Sequence, residues 1–142
     1  MKTRFVWLLL FMSATVSAEW EKIKGAAGTS VEKFIDTETM RQTGPMNTMR
    51  RVWEISNLAK GASNKASSNV LSIKSQVEYD CKDRRVRVLE ESYFSEHWAK
   101  GEDVAGTAPD VKSRDWSGIV KGSIHEAIFN RVCPNDGSET KN

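Results

Sequence analysis

The sequence predicts an α+β fold, a single antiparallel β-sheet of about five to six strands with one C-terminal α-helix pinned to it by a disulfide. Apolar and polar residues alternate with period two along Leu71–Cys81, and Arg84–Phe94 returns as the second strand of a hairpin. Ser123–Glu126 has the S-x-x-E spacing of a capping box before an apolar helical stripe. The only two cysteines, Cys81 and Cys133, end that strand and that helix.

Three shorter strands are expected before the hairpin. They are placed at Trp20–Lys24, Val31–Asp36 and Thr48–Asn57 by their apolar and β-branched residues. A polar bend, Thr37–Arg41, follows the second strand. Thr43–Pro45 then breaks the chain, because its glycine permits positive φ and its proline removes an amide donor.

Two loops, a short strand and the helix complete the predicted domain. Leu58–Asn69 is a polar surface loop, and Ser95–Arg114 is a long irregular loop of the kind that often carries function. Asp115–Val120 holds a last short strand. Pro134 blocks continuation of the helix. The apolar helical stripe consists of Ile124, Ala127, Ile128 and Val132.

Met1–Ala18 has the three parts of a cleavable secretory signal peptide. Lys2 and Arg4 give the positive start, and Phe5–Met12 is an apolar run of about 12 Å as a helix, too short for a hydrocarbon core of about 30 Å. Cleavage puts Glu19, not a lipidation cysteine, first in the mature chain. We expect residues 1–18 to be removed, residues 19–134 to form the domain and residues 135–142 to be a polar flexible tail. The protein is then periplasmic or secreted, with no stable membrane anchor.

The charge balance argues against nucleic acid as a partner. The full chain has 21 Lys and Arg against 19 Asp and Glu. Loss of Lys2 and Arg4 with the signal peptide makes the mature chain formally neutral. Net charge therefore gives no attraction for DNA or for anionic lipid.

An exported chain with two cysteines is expected to join them, and Cys81–Cys133 is the one pairing available. A redox or metal pair is the alternative. The spacing is not C-x-x-C, and the cysteines do not cluster with the two histidines as a zinc site would. The residues therefore favour a structural bridge.

Segments spread over most of residues 19–133 resemble the bacterial surface-adhesin protein E-like domain family. They are Trp20–Ile23, Phe34–Asp36, Arg51–Trp53, Val77–Cys81, Arg84–Leu89, Trp116, Lys121–Ser123 and Cys133. The resemblance implies an antiparallel sheet with a C-terminal helix tied by the cysteine pair, in an exported proteobacterial protein. The family's named member is a lipid-anchored adhesin for host proteins, whereas this chain has Glu19 where the lipidated cysteine would stand. The resemblance implies no catalytic residues.

His97, Trp98 and Lys100 are the candidate partner-binding residues. An aromatic ring in a polar loop exposes apolar area unless the protein's own sheet, a second subunit or a partner covers it, and tryptophan is enriched at binding hot spots. The other tryptophans with a predicted place, Trp53 and Trp116, are expected in the core. His97 on its own is interpreted as an exposed loop histidine. His125, in the first turn of the helix, is interpreted as a surface residue.

Glu78 and Asp80 share the polar face of the fourth strand and are expected to be solvated charges. A carboxylate pair for acid–base hydrolysis is the alternative. The chain has no nucleophile elbow and no P-loop. Cross-strand partners are offered by Arg84, Arg85 and Arg87.

These inferences favour an exported, non-enzymatic binding module that mediates protein–protein contact in the bacterial envelope, with no cofactor and no metal. The expected partner is an envelope or extracellular protein, or a second copy of the chain in a homodimer. The alternative is a periplasmic carrier of a small molecule or haem, in which His97 or His125 would supply a ligand.

Overall fold

Seven strands and one α-helix make up the part of the chain that the computed structural model describes, residues 19–25, 31–59, 69–104 and 115–134. They are β1 (Trp20–Ile23), β2 (Val31–Thr43), β3 (Met49–Leu58), β4 (Ser72–Asp80), β5 (Arg85–Glu96), β6 (Lys100–Asp103), β7 (Ser117–Gly118) and α1 (Ile124–Val132). The sheet is antiparallel with the order β1-β2-β3-β4-β5-β6, and β7 pairs with β5. The predicted fold class is confirmed. The predicted signal peptide and tail lie outside the described residues.

One face of the sheet packs against α1, and we call it the helix face. Its buried side chains form the core with the inner side of the helix: Ile23, Ile35, Val52, Val77, Tyr79, Val86, Ile128, Phe129 and Val132. At the end of this face, Cys81 and Cys133 form the predicted disulfide, with Cα atoms 5.5 Å apart. The bridge ties the residue after β4 to the C-cap of α1.

The central β4–β5 hairpin is confirmed, and β5 continues two residues beyond its predicted end. Val77 pairs with Val88, whereas Gln76 pairs with Glu90, so Leu89 is an extra residue in β5. Such a bulge bends the strand and increases its twist. Tyr79 and Val86, two pairs further along, remain together on the helix face.

Strand β2 is twice as long as predicted, because the segment Thr37–Arg41 does not end it. The carboxylate of Asp36 accepts hydrogen bonds from the amides of Glu38 (3.1 Å) and Thr39 (3.2 Å) and from the Thr39 hydroxyl (2.8 Å). These bonds produce a register shift between Asp36 and Arg41, after which pairing with β3 resumes. The strand ends at the predicted break, where Gly44 has φ of 75°.

The predicted long loop Ser95–Arg114 is partly regular. Strand β5 runs into it, a single 3₁₀ turn follows at His97–Ala99, and β6 returns beside β5. Residues 105–114 lie outside the described part of the chain. The short strand expected within Asp115–Val120 is present as β7.

The start of α1 is as predicted. The Ser123 hydroxyl accepts a hydrogen bond from the Glu126 amide at 3.2 Å. The Glu126 carboxylate reaches back to the amide of Gly122 at 2.7 Å, one residue before the position that a capping box uses. Cys133 is the C-cap. Within the described ranges, no helix is long and apolar enough to span a membrane.

Candidate binding surface

The tip of the β5–β6 hairpin carries all three predicted contact residues. His97 and Trp98 lie in the 3₁₀ turn, and Lys100 begins β6. All three are exposed, and 42% of Trp98 is accessible to solvent. The structure thus brings these residues together on one projecting turn.

Side chains from β3 and β4 hold this turn in place. The Asn57 side-chain oxygen accepts from the amide of Trp98 at 2.9 Å. The Ser72 hydroxyl accepts from the amide of Ala99 at 3.0 Å and donates to the carbonyl of Glu96. Asn57 and Ser72 are both buried, so buried side chains of the sheet hold the turn in place. The sequence did not reveal these two supports, because nothing distinguishes them from other polar residues near a strand end.

The Trp98 ring lies partly on the sheet face opposite α1, which we call the far face. It contacts the ring of Phe34 with centroids 4.4 Å apart and planes tilted by 47°. Trp98 and Ala99 both have positive φ, 63° and 54°, a conformation that is uncommon without glycine. Such backbone strain persists only where the surrounding structure enforces it, and it concentrates at functional sites.

Two further tryptophans also lie on the far face, which corrects the expectation that they belong to the core. Trp53 and Trp116 are half-buried. The ammonium group of Lys74 lies 4.7 Å from the Trp53 ring centroid, and the guanidinium groups of Arg87 and Arg85 lie 4.4 Å and 5.2 Å from that of Trp116. Long basic side chains cover apolar rings in this way while their charges stay hydrated.

The expectation that Glu78 and Asp80 are solvated charges is wrong. Glu78 is 1% exposed and Asp80 is 3% exposed. Two of the three predicted cross-strand arginines are their partners, since Glu78 accepts from Arg87 Nε at 2.9 Å and Asp80 accepts from Arg85 at 2.8 Å. The third, Arg84, instead bonds Glu126 of α1 at 3.4 Å. Arginines on both neighbouring strands cover Glu78, because Arg51 of β3 also bonds it, at 3.0 Å.

The electrostatics of this pair do not suit acid–base chemistry. Burial raises the pKa of Glu78, but hydrogen bonds from Arg87, Thr43 and Arg51 outweigh it, and the pKa lies below its usual value. Burial likewise raises the pKa of Asp80, and the bonds from Arg85 and two backbone amides lower it further than that. Hydrolysis by two carboxylates needs one with a raised pKa to act as the acid. Neither residue meets that need.

His125 is not a surface residue, because it is half-buried between α1 and the sheet. Its Nδ1 lies 3.1 Å from the Tyr79 hydroxyl, which donates to Glu54 at 2.7 Å. The Tyr79 hydroxyl oxygen therefore accepts a hydrogen bond from His125 Nδ1–H. Glu54 also pairs with Lys33 at 2.7 Å. Four polar groups thus form one connected, largely buried chain within the helix face.

The haem-carrier alternative gains no supporting observation from the described residues. His97 bonds the carbonyl of Leu58 at 2.9 Å, and His125 is engaged with Tyr79. Among residues 19–25, 31–59, 69–104 and 115–134, no three His, Cys, Asp or Glu side chains are grouped to hold a metal. The cavity beside His125 measures about 220 Å³, smaller than most small-molecule pockets.

The fold and the disulfide define the class of this protein: a small antiparallel-sheet domain with one helix tied across it. The family profile described as surface-adhesin protein E matches residues 20–134. The chain therefore belongs to the surface-adhesin protein E family, as its sequence resemblance implied. No curated protein sequence matches it significantly.

Solved structures of Haemophilus influenzae protein E share the fold. The selenomethionine form matches with a TM-score of 0.62 at 13% identity, covering 84% of this chain and 89% of that one. A second crystal form matches with a TM-score of 0.59 at 12% identity, covering 79% and 86%. At this identity the likeness establishes the fold and leaves the binding surface to be argued from this chain.

Proposed function

We propose that this protein is an exported, non-enzymatic binding module that contacts another protein in the bacterial envelope. The contact is made by the tip of the β5–β6 hairpin, through His97, Trp98 and Lys100. Family membership supports an adhesive role, and the hairpin tip supplies the surface for it.

The observation that carries the proposal is the exposed, rigidly held ring of Trp98. Its backbone is fixed by Asn57 and Ser72, and one side of its ring rests on Phe34. A partner that covers the other side would bury apolar area without first having to order the side chain. Preorganisation of this kind increases affinity, and tryptophan is enriched among residues that dominate interfaces.

The proposed location is the periplasm or the extracellular space. The predicted signal peptide supports export, and Glu19 at the predicted first mature position supports a chain without a lipid anchor. Intact-mass measurement on protein from native envelopes checks both points. A mass that includes residues 1–18, or an added acyl chain, contradicts them.

The binding proposal is tested with Trp98→Ala in the mature protein. We expect its melting temperature to stay within a few degrees of the wild type, and an envelope protein captured by the wild type and identified by mass spectrometry to be lost. Met46→Ala is the matched control. Met46 is 85% exposed and also has positive φ in a tight turn, at the end of β2. This variant should capture the same partner as the wild type.

Two outcomes contradict the proposal. If Trp98→Ala binds the partner as well as Met46→Ala does, the hairpin tip is not the contact. If Trp98→Ala unfolds the domain, the ring is structural, and the contact should be sought on the far face around Lys74 and Arg87.

A further inference from the structure

A row of four charged side chains crosses the far face. Arg41 of β2 pairs with Arg51 of β3, Arg51 pairs with Glu78 of β4, and Glu78 pairs with Arg87 of β5. The row therefore holds three positive charges and one negative charge. Like charges directly opposite each other in a sheet are destabilising. The excess of positive charge at the Arg41–Arg51 pair therefore needs a physical explanation.

The one carboxylate in the row is already fully used. Glu78 accepts hydrogen bonds from Thr43 (2.8 Å), Arg51 (3.0 Å) and Arg87 (2.9 Å). Arg41 is exposed, and its hydrogen bonds to described residues go to the backbone carbonyls of Glu38 and Met40.

Arg51 has unused donor capacity as well. Its Nε has no hydrogen-bond partner among the described residues, and that nitrogen is buried. The Arg51 side chain as a whole is 40% exposed, so part of it reaches solvent. A buried N–H group without an acceptor costs free energy. A ligand oxygen that accepts a hydrogen bond from the Arg51 guanidinium would remove that cost.

A cavity of about 350 Å³ lies where the two arginines meet. The register shift in β2 opens it, because β2 leaves β3 between Asp36 and Arg41. Its lining includes Thr39, Arg41, Thr43, Arg51, Trp53 and Gln76.

We propose that this cavity binds the oxyanion group of a small molecule, a carboxylate or a phosphate, between the guanidinium groups of Arg41 and Arg51. A planar guanidinium donates two parallel hydrogen bonds to such groups. The Trp53 ring forms an apolar wall beside the anion, and the Gln76 amide adds an uncharged donor. The bound anion supplies the negative charge that the row lacks.

The test titrates the mature wild-type protein with sodium phosphate and, separately, with sodium succinate, against sodium chloride at matched ionic strength. Nuclear magnetic resonance follows the side-chain Nε–H signal of Arg51 and the indole N–H signal of Trp53. We expect both signals to shift and saturate with at least one of the two oxyanions and not with chloride. The anion that binds more tightly identifies the ligand group.

Arg41→Gln is the decisive variant, because Arg41 has no carboxylate partner among the described residues. It should weaken anion binding about tenfold. Arg50→Gln is the matched control. Arg50 is the preceding residue of β3, so it points to the other face, and it too bonds backbone carbonyls, those of Asn47 and Met49. Arg50→Gln should bind as the wild type does.

Three results overturn the proposal: equal shifts with chloride, shifts that do not saturate, or equal loss of binding in Arg41→Gln and Arg50→Gln. The site is independent of the hairpin tip. Trp98→Ala should therefore bind the anion as the wild type does, so failure of this proposal is distinguishable from failure of the proposed partner contact.

Discussion

On the helix face, apolar side chains from the sheet pack against Ile128, Phe129 and Val132 of α1. On the far face, buried carboxylates lie beneath arginines, and basic side chains lie over the rings of Trp53 and Trp116. Both faces exclude water from the sheet, one with a helix and the other with long side chains. A sheet face without a packed helix can therefore still hold fully buried charges.

The two faces also differ in how their polar groups are balanced. The helix face contains a polar chain in which Lys33 pairs with Glu54, Glu54 accepts from Tyr79, and Tyr79 accepts from His125. The far face carries more arginines than the carboxylates they cover. Charged groups beneath the helix are thus paired with one another, whereas the row from Arg41 to Arg87 on the far face holds three positive charges and one negative charge.

The largest effect on stability is expected from removing the disulfide that links α1 to the sheet. Cys133→Ser removes the bridge to Cys81 and should cost about 2–5 kcal/mol of unfolding free energy. Urea unfolding of the mature protein measures it. Reductant should destabilise the wild type by a similar amount and leave Cys133→Ser unchanged. An unchanged urea midpoint in the variant would mean that packing alone fixes the helix.

On the far face, Glu78→Gln should cost about 2 kcal/mol, because it leaves Arg51 and Arg87 side by side without their shared counter-charge. Both arginines are partly exposed, so water limits the loss. The wild-type carboxylate has a lowered pKa, so its contribution is present above its ordinary pKa of 4.5 and is lost as the pH falls through the lower folded value.

The control for Glu78→Gln is Glu90→Gln, which alters an exposed glutamate of β5. It should change stability by less than about 0.5 kcal/mol. Equal losses in the two variants would show that burial of Glu78 beneath the arginines contributes nothing.

A smaller effect is expected at the start of α1. Ser123→Ala should cost about 0.5–2 kcal/mol, because the Glu126 amide loses its side-chain acceptor. Thermal melting compared with Ser117→Ala, which changes an exposed serine of β7, isolates the cap. If both variants melt alike, the helix does not depend on this cap.

The sequence predicts the helix face well because the period-two alternation of apolar and polar residues shows directly which side chains of a strand are buried. Val77, Tyr79 and Val86 follow from that pattern, and the capping box places α1. The same pattern fails on the far face. It assigns Glu78 to solvent, whereas the register of β3 and β5 places Arg51 and Arg87 over it. The register depends on how three strands pair with one another, so it cannot be predicted from the residue pattern of one strand alone.

The hairpin tip shows a second limit of sequence patterns. The turn at Trp98 and Ala99 has positive φ without a glycine at either position, so the usual signal of a tight turn is missing. Its supports, Asn57 and Ser72, are far away along the chain. The sequence identified Trp98 as a contact candidate from its polar surroundings, but it could not show how the ring is held.

The polar chain of the helix face should respond to mild acid, whereas the far face should not. Burial lowers the pKa of His125 below its ordinary value of 6.5; the charge of Lys33 lowers it further, and Glu54 opposes both. The unfolded chain then binds a proton more readily than the folded one. Stability is therefore full above about pH 6.5 and decreases as the pH falls below it.

His125→Gln should flatten this decrease between about pH 7 and pH 5.5, because glutamine can still donate to the Tyr79 hydroxyl but does not titrate. Urea unfolding at several pH values measures the slope. His97→Gln removes the exposed histidine of the hairpin tip and should keep the wild-type slope. If His97→Gln flattens it and His125→Gln does not, the acid response belongs to the hairpin tip. An equal slope in all three proteins would mean that a negative charge beneath the helix offsets the cost of protonating His125. Glu54 is the carboxylate of the four-residue polar chain that could supply that charge.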